Sequence, residues 1–148
     1  ELLYPDEARL YCAPGYAQRL GLQQASDVAR ATLLHNTLLP YWPEWIAHYT
    51  RLSAAQARAI SGLHFDQSMM AIDAAVREQG LVLSSAILVQ AELQEGSLIE
   101  PLPIRMPVGK GYYLVHSKHS PLRPAAQALK DWLLARAAQE REQMALAG

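Results

Sequence analysis

The chain reads as an α/β layer with a parallel sheet. Two observations predict this. The run Phe65–Leu102 (FDQSMMAIDAAVREQGLVLSSAILVQAELQEGSLIEPL) alternates helix, glycine stop, short strand, helix, glycine stop and strand, and βα steps this tight imply parallel neighbours. Within it, Leu81, Val82 and Leu83 are an unbroken apolar run, as expected of a strand covered on both faces.

Ahead of that run, Ala8–Cys12 predicts a strand closed by the turn Ala13-Pro14-Gly15. Ser26 and Asp27 can start a short helix through Ala31. Leu33–Leu34 predicts a small strand that emerges into the polar loop His35-Asn36-Thr37. Pro40 and Pro43 keep the following segment irregular before a helical turn over Trp45–Tyr49. Ala59–Phe65 predicts a strand leading into the first helix of the long run. Asp66 or Ser68 can cap that helix, Met69, Ile72 and Val76 follow at helical spacing, and Gly80 ends it in the left-handed conformation.

Ser84 or Ser85 restarts a helix that Gly96 ends, and Leu98–Ile99 begins another strand. Gly109-Lys110-Gly111 reads as a turn and Tyr112–His116 as a strand. Ser117–Ser120 reads as a loop. Pro121 and Pro124 fit the start of a last helix with the apolar stripe Ala125, Leu129, Trp132 and Leu133. Beyond Arg136 the polar tail is expected to fray.

Composition excludes several function classes. At 148 residues and 51% hydrophobic, the chain can bury one core and is neither disordered nor fibrous. A net charge of −1, with thirteen Lys and Arg scattered along the sequence, leaves no basic stripe for a polyanion. The chain alone is therefore not expected to bind DNA. The single cysteine excludes an internal disulfide and a cysteine-based zinc cluster. No apolar run approaches membrane-spanning length and no signal peptide opens the sequence, so no membrane partner is expected and the cytoplasm is the expected compartment.

The wording of the chain resembles the effector-binding domain of LysR-type transcriptional regulators, in the branch of the glycine-cleavage and β-lactamase-inducer regulators. The phrases that carry the resemblance are Phe65-Asp66-Gln67-Ser68, the paired Ala74–Ala75, Gly80–Leu83 and Gly96–Pro101. GYYLVHSK (Gly111–Lys118) and PAAQALKDWL (Pro124–Leu133) are similar to that family's closing strand and helix. LYCAPGYAQRLGL (Leu10–Leu22) and WPEWI (Trp42–Ile46) resemble its passage into the second subdomain. No single phrase is specific, but their order holds across nearly the whole chain.

This resemblance implies a periplasmic-binding-protein-like fold of type 2, with two α/β subdomains and an effector in the cleft between them. By comparison with the family, residues 8–105 correspond to the second subdomain and 106–140 to the strand and helix that return to the first. The DNA-binding helix-turn-helix and most of the first subdomain are expected to lie outside this sequence. The implied partners are a small polar or anionic effector, further copies of the protein in a dimer or tetramer, and DNA only through that separate domain. A stand-alone solute-binding module of similar fold is the alternative.

Ligands in open α/β sheets bind at the carboxyl ends of strands, where helix N-termini present free N–H groups. Gln67 and Ser68, at the turn after the strand ending in Phe65, are the first candidates. A purely capping role is the plainer reading for Asp66, whereas the family position corresponding to Ser68 faces the cleft. Asn36 and Thr37, with Tyr41 and Trp42 nearby, form a second group suited to a small amphipathic ligand, although such residues often serve only local backbone groups. Tyr112 or Tyr113 is a third candidate. The two alternate across a strand, so one faces the core and the other is free for a cleft; the resemblance places one of them near the effector without choosing.

Catalysis is not expected. His64, Asp66 and Ser68 stand too close in sequence for a nucleophile–base–orienter arrangement, and no nucleophile elbow, phosphate loop or dinucleotide fingerprint occurs. The five histidines lack close ligand spacing: His116 and His119 span a strand end and a loop. Neither a metal nor a cofactor is expected. Ala86, Ile87, Leu88 and Val89 make one helix apolar on more than one side, which requires burial on two sides or contact with another chain.

Overall fold

The computed structural model describes residues 1–146, with side chains through Gln143. It divides into two compact units, one of Glu7–Pro107 and one of Glu1–Asp6 with the chain from Val108 onward.

In the larger unit a sheet is ordered β3-β2-β4-β1-β5, where β1 is Leu2–Tyr11, β2 Thr32–Asn36, β3 Ser61–Phe65, β4 Leu81–Ser84 and β5 Arg105–Tyr113. β1 and β5 each run on from this unit into the smaller one. β2 pairs in parallel with β3, from Thr32↔Ser61 to Asn36↔Phe65, and in parallel with β4 through Leu33↔Leu81 and Leu34↔Val82. β1 meets β4 antiparallel, Arg9↔Ser84 to Tyr11↔Val82. The sheet is thus mixed rather than wholly parallel.

All four residues of β4 are buried, as an apolar strand between two partners requires. One face of the sheet carries Tyr11, Leu34 and Val82. These pack with Ala71, Ile72, Ala74 and Ala75 of α4 (Ser68–Val76) and with Val89 and Leu98. The alternate positions Leu10, Leu33, Leu81 and Leu83 are also buried. Strand alternation puts them on the opposite face.

Several elements differ from the sequence expectation. Ala13-Pro14-Gly15 is not a free turn but opens α1 (Pro14–Leu20), with the proline in the first turn, where its missing N–H is harmless. The expected helix at Ser26 is a 3₁₀ segment over Ala25–Arg30. α2 spans Trp42–Tyr49 with Pro43 in its first turn, so that proline starts a helix where irregular chain was expected. α3 (Ala54–Arg58) was not foreseen. Its signal is a capping box, in which the Gln56 backbone N–H donates to Ser53 Oγ at 3.1 Å and the Ser53 N–H to Gln56 Oε1 at 2.8 Å.

Gly80 does not supply the left-handed residue after α4; Glu78 does, at φ 60. Glu78 N donates to Ala75 O and Gln79 N to Ala74 O, each at 3.0 Å, the paired bonds of a Schellman ending. Gly80 is instead a close-approach glycine, since a Cβ there would lie 2.3 Å from the Thr32 carbonyl oxygen. Met69 is 53% exposed, so the buried stripe of α4 starts at Ala71. The helix restarted after Ser85 is a 3₁₀ segment, Ala86–Val89, followed by α5 (Gln90–Glu95), which Gly96 ends at φ 77. Leu98–Ile99 begins no strand: Ile99 makes an isolated bridge to Cys12, and Pro101 and Pro103 remove the donors a ladder would need.

In the smaller unit, β1 contributes Leu2–Asp6, β5 contributes Val108–Tyr113, and α6 is Pro124–Leu146. The expected turn Gly109–Gly111 is continuous strand. Gly109 takes φ 64 with open space about it, and a Cβ on Gly111 would lie 2.7 Å from Tyr4 O, so the first supplies a left-handed residue within the strand and the second permits close backbone approach. The strand expected over Tyr112–His116 therefore ends at Tyr113.

The expected stripe on α6 is largely uncovered, with Leu129 57% and Trp132 60% exposed. A 23-residue helix is ~35 Å long, and strand segments of five and six residues, ~17–20 Å, cannot cover it. Nor does the helix fray after Arg136. Ala137 is buried, Arg136 pairs with Glu140 at 2.7 Å, and Tyr4 Oη donates to Glu140 at 2.5 Å. The last two tail residues lie outside the described chain.

Candidate functional site

The carboxyl ends of β2 and β3 lie side by side, and there the structure joins three of the candidate residues. Asn36 Nδ2 donates to Ser68 Oγ at 2.6 Å, linking the end of β2 to the first turn of α4. Asn36 Oδ1 accepts from the Leu38 N–H at 3.0 Å, an Asx turn that fixes the chain as it leaves the strand. Thr37 N–H donates to Phe65 O at 2.9 Å and Thr37 Oγ1 to the same oxygen at 3.2 Å. The loop after β2 and the turn after β3 are therefore one hydrogen-bonded unit.

Ser68 is the first residue of α4 and does not cap it. The N-cap position is Gln67, extended at φ −129 and ψ 135, and no side chain bonds the first-turn donors. Asp66 makes no cap either, so the capping expected of Asp66 or Ser68 is absent. The free N–H groups of α4 point away from the helix beside Ser68 Oγ and the exposed Gln67, an arrangement that suits an anionic or carbonyl group.

Trp42 is not a free aromatic for a ligand. It is 2% exposed and its Nε1–H donates to Leu34 O at 3.0 Å, so it is core. Tyr112 and Tyr113 lie on β5 in the smaller unit, Tyr112 half-buried and Tyr113 59% exposed.

Sequence reasoning overlooked residues level with this turn. The parallel register Leu34↔Val82 carries on to set Asn36 beside Ser84, and Arg9 pairs with Ser84. Phe65, Asn36, Ser84 and Arg9 thus form a row across four strands, at the carboxyl end of the parallel three. His35 and His64, one step inward on the other face, stack at 4.5 Å between centroids with planes 6° apart. Both pairings follow from register, which single-strand patterns do not reveal. Among the described residues, no group of three or more His, Cys, Asp or Glu could hold a metal ion, and no helix is long and apolar enough to cross a membrane.

Comparison with known proteins bears on this geometry. The family model described as the LysR substrate binding domain matches residues 1–138. The HTH-type transcriptional activator AmpR of Citrobacter koseri is 29% identical over 134 residues, covering 90% of this chain and 44% of that protein. The glycine cleavage system transcriptional activator of Escherichia coli (strain K12) is 32% identical over 123 residues, covering 82% and 39%. The chain spans less than half the length of these relatives. Among solved structures, the effector domain of the transcriptional regulator AmpR of Pseudomonas aeruginosa superposes with a TM-score of 0.78 at 24% identity, covering 97% of this chain and 68% of that one. The fold is therefore that of LysR effector domains, periplasmic-binding-protein-like of type 2.

Proposed function

Because this chain belongs to the LysR substrate-binding domain family, we propose that it is the effector-sensing part of a LysR-type transcriptional regulator. It binds a small polar or anionic metabolite and passes the binding on as a change in the geometry of a DNA-bound oligomer. The observation that carries this reading is the Asn36–Ser68 bond beside the uncapped start of α4. It places two fixed polar side chains and a positive helix end at the strand ends where such folds take ligands. In this reading Ser68, Gln67, Asn36 and Thr37 contact the effector, and Tyr112 or Tyr113, on the returning strand of the smaller unit, is a separate candidate.

In this reading residues 8–105 are the second subdomain and 106–140 the return to the first; the division of the chain near Pro107 supports it. DNA is contacted by a helix-turn-helix domain outside this sequence, and the regulator works in the cytoplasm without catalysing a reaction. Self-association is in keeping with the exposed Met69, Met70, Leu129 and Trp132.

The test is Ser68→Ala in the regulator that carries this chain. The response to inducer is expected to weaken while operator binding is unchanged. An unaltered response would remove Ser68 from the effector wall. Sub-micromolar binding of duplex DNA by this chain alone at physiological salt would overturn the sensing role.

A further inference from the structure

Three of the buried polar side-chain atoms without a hydrogen-bond partner among the described residues are Tyr11 Oη, Ser84 Oγ and Glu100 Oε1. Their residues adjoin Arg9 by strand pairing, strand alternation or ion pairing. Ser84 is the direct antiparallel partner of Arg9, and Tyr11 stands two residues along β1 on the same face. Tyr11 is fully buried and Ser84 is 5% exposed. Glu100 Oε2 lies 3.6 Å from Arg9 Nη1. The phenol of Tyr11 is raised above its ordinary range by burial, with Arg9, Glu100, Glu7 and Arg105 all acting on it. All these residues belong to the larger unit.

Arg9 does not satisfy the cluster. Its Nε donates to Glu7 Oε1 at 2.9 Å and its Nη2 contacts the same oxygen. Its Nη1 approaches only the other oxygen of Glu100. Glu100 Oε1 is thus a buried carboxylate oxygen that can only accept, beside two hydroxyls that can either accept or donate. What completes the cluster must bring a donor to Glu100 Oε1, and a group with three N–H donors can serve this oxygen and both hydroxyls at once. An added anion would face Glu100 and Glu7, with Arg9 already engaged between them.

We propose that Tyr11, Ser84 and Glu100 form a niche for a primary ammonium group. The niche sits at one end of the row that runs from Phe65 through Asn36 and Ser84 to Arg9, on the same sheet face as Asn36. It stands on the geometry of the larger unit alone and does not require the effector reading.

The experiment is isothermal titration, with thermal melts in parallel, of the 148-residue chain against methylammonium chloride, sodium chloride at matched ionic strength, and sodium acetate. Saturable binding and a raised melting temperature are expected for methylammonium alone. Glu100→Gln should weaken that binding about tenfold, and Ser84→Ala about threefold, as loss of a charge-assisted and of a neutral hydrogen bond implies. Asp73→Asn, which removes an exposed carboxylate elsewhere on the same unit, should leave it unchanged.

Methylammonium acting no differently from sodium would overturn the proposal, the cluster then holding water only. So would acetate binding in its place, or Asp73→Asn weakening binding as much as Glu100→Gln. Should Glu100→Gln fail to fold, the three-salt comparison on the unaltered chain decides by itself.

Discussion

Asn36 and Ser68, thirty-two residues apart, are joined by a 2.6 Å hydrogen bond from the amide nitrogen to the hydroxyl. The same amide holds the Leu38 N–H through its oxygen, so Asn36 is bonded on both sides and Ser68 depends on it for orientation. Asn36→Ala should cost about 1–3 kcal/mol and Ser68→Ala about 1 kcal/mol. Because the two share one bond, the double variant should be less destabilised than the sum, with a coupling of about 0.5–1.5 kcal/mol. Urea melts of the four proteins measure this.

Gly80→Ala tests whether the glycine is there for space rather than for a left-handed turn. Its added Cβ would lie 2.3 Å from Thr32 O and 3.1 Å from Leu34, on the strand that pairs with β4. The strands must part, and a loss of about 1–3 kcal/mol is expected. Gly96→Ala has open space around it but a φ of 77, so it should cost about 1 kcal/mol through backbone strain alone. Chemical denaturation should rank Gly80→Ala as the worse of the two.

His35 titrates below the ordinary imidazole range, first because burial disfavours its charged form and second because His64 faces it. The unfolded chain therefore takes up this proton more readily than the folded one. The stability from a neutral His35 is complete above the unfolded pKa of ~6.5 and is lost as pH falls from there through the lower folded value. Thermal melts between pH 5 and 7.5 should show a steeper acid-side fall for the unaltered chain than for His35→Gln. His64→Gln should flatten the profile less, since burial is the larger cause.

Cys12, the residue just after β1, is fully buried, and burial pushes its thiol up to about 11. The reactive thiolate is thus scarce at neutral pH and shielded from reagents. An aromatic disulfide reagent at pH 8 should leave it unmodified in the folded chain and label it fully in denaturant. Rapid labelling of the native protein would contradict this packing.

Within Phe65–Leu102 the succession α4, β4, α5 was legible because local signals agree: helical spacing, an apolar run and Gly96 at a helix end. The failures came where one residue type serves two purposes. Gly80, read as a helix stop, makes room for Thr32 O, while the stop falls on Glu78, a residue that rarely takes positive φ. Pro14 and Pro43 looked like breaks but sit in first turns. For the site, Asn36 and Ser68 could be named from strand-end logic, yet their bond could not, because it depends on β2 and β3 being neighbours. Ser84 and Arg9 stayed hidden for the same reason. Arg9 lies within a strand that runs antiparallel to β4, so a search of strand carboxyl ends passes over it.

That antiparallel strand also shapes how this end of the sheet can vary. The row Phe65–Asn36–Ser84–Arg9 is assembled from four separate stretches of chain, and its members are strand positions rather than parts of one contiguous motif. A single replacement at position 84 alters the floor of the row without lengthening a loop or shifting a register. Proteins that share this scaffold can therefore differ along the row one side chain at a time, with the strands around it unchanged.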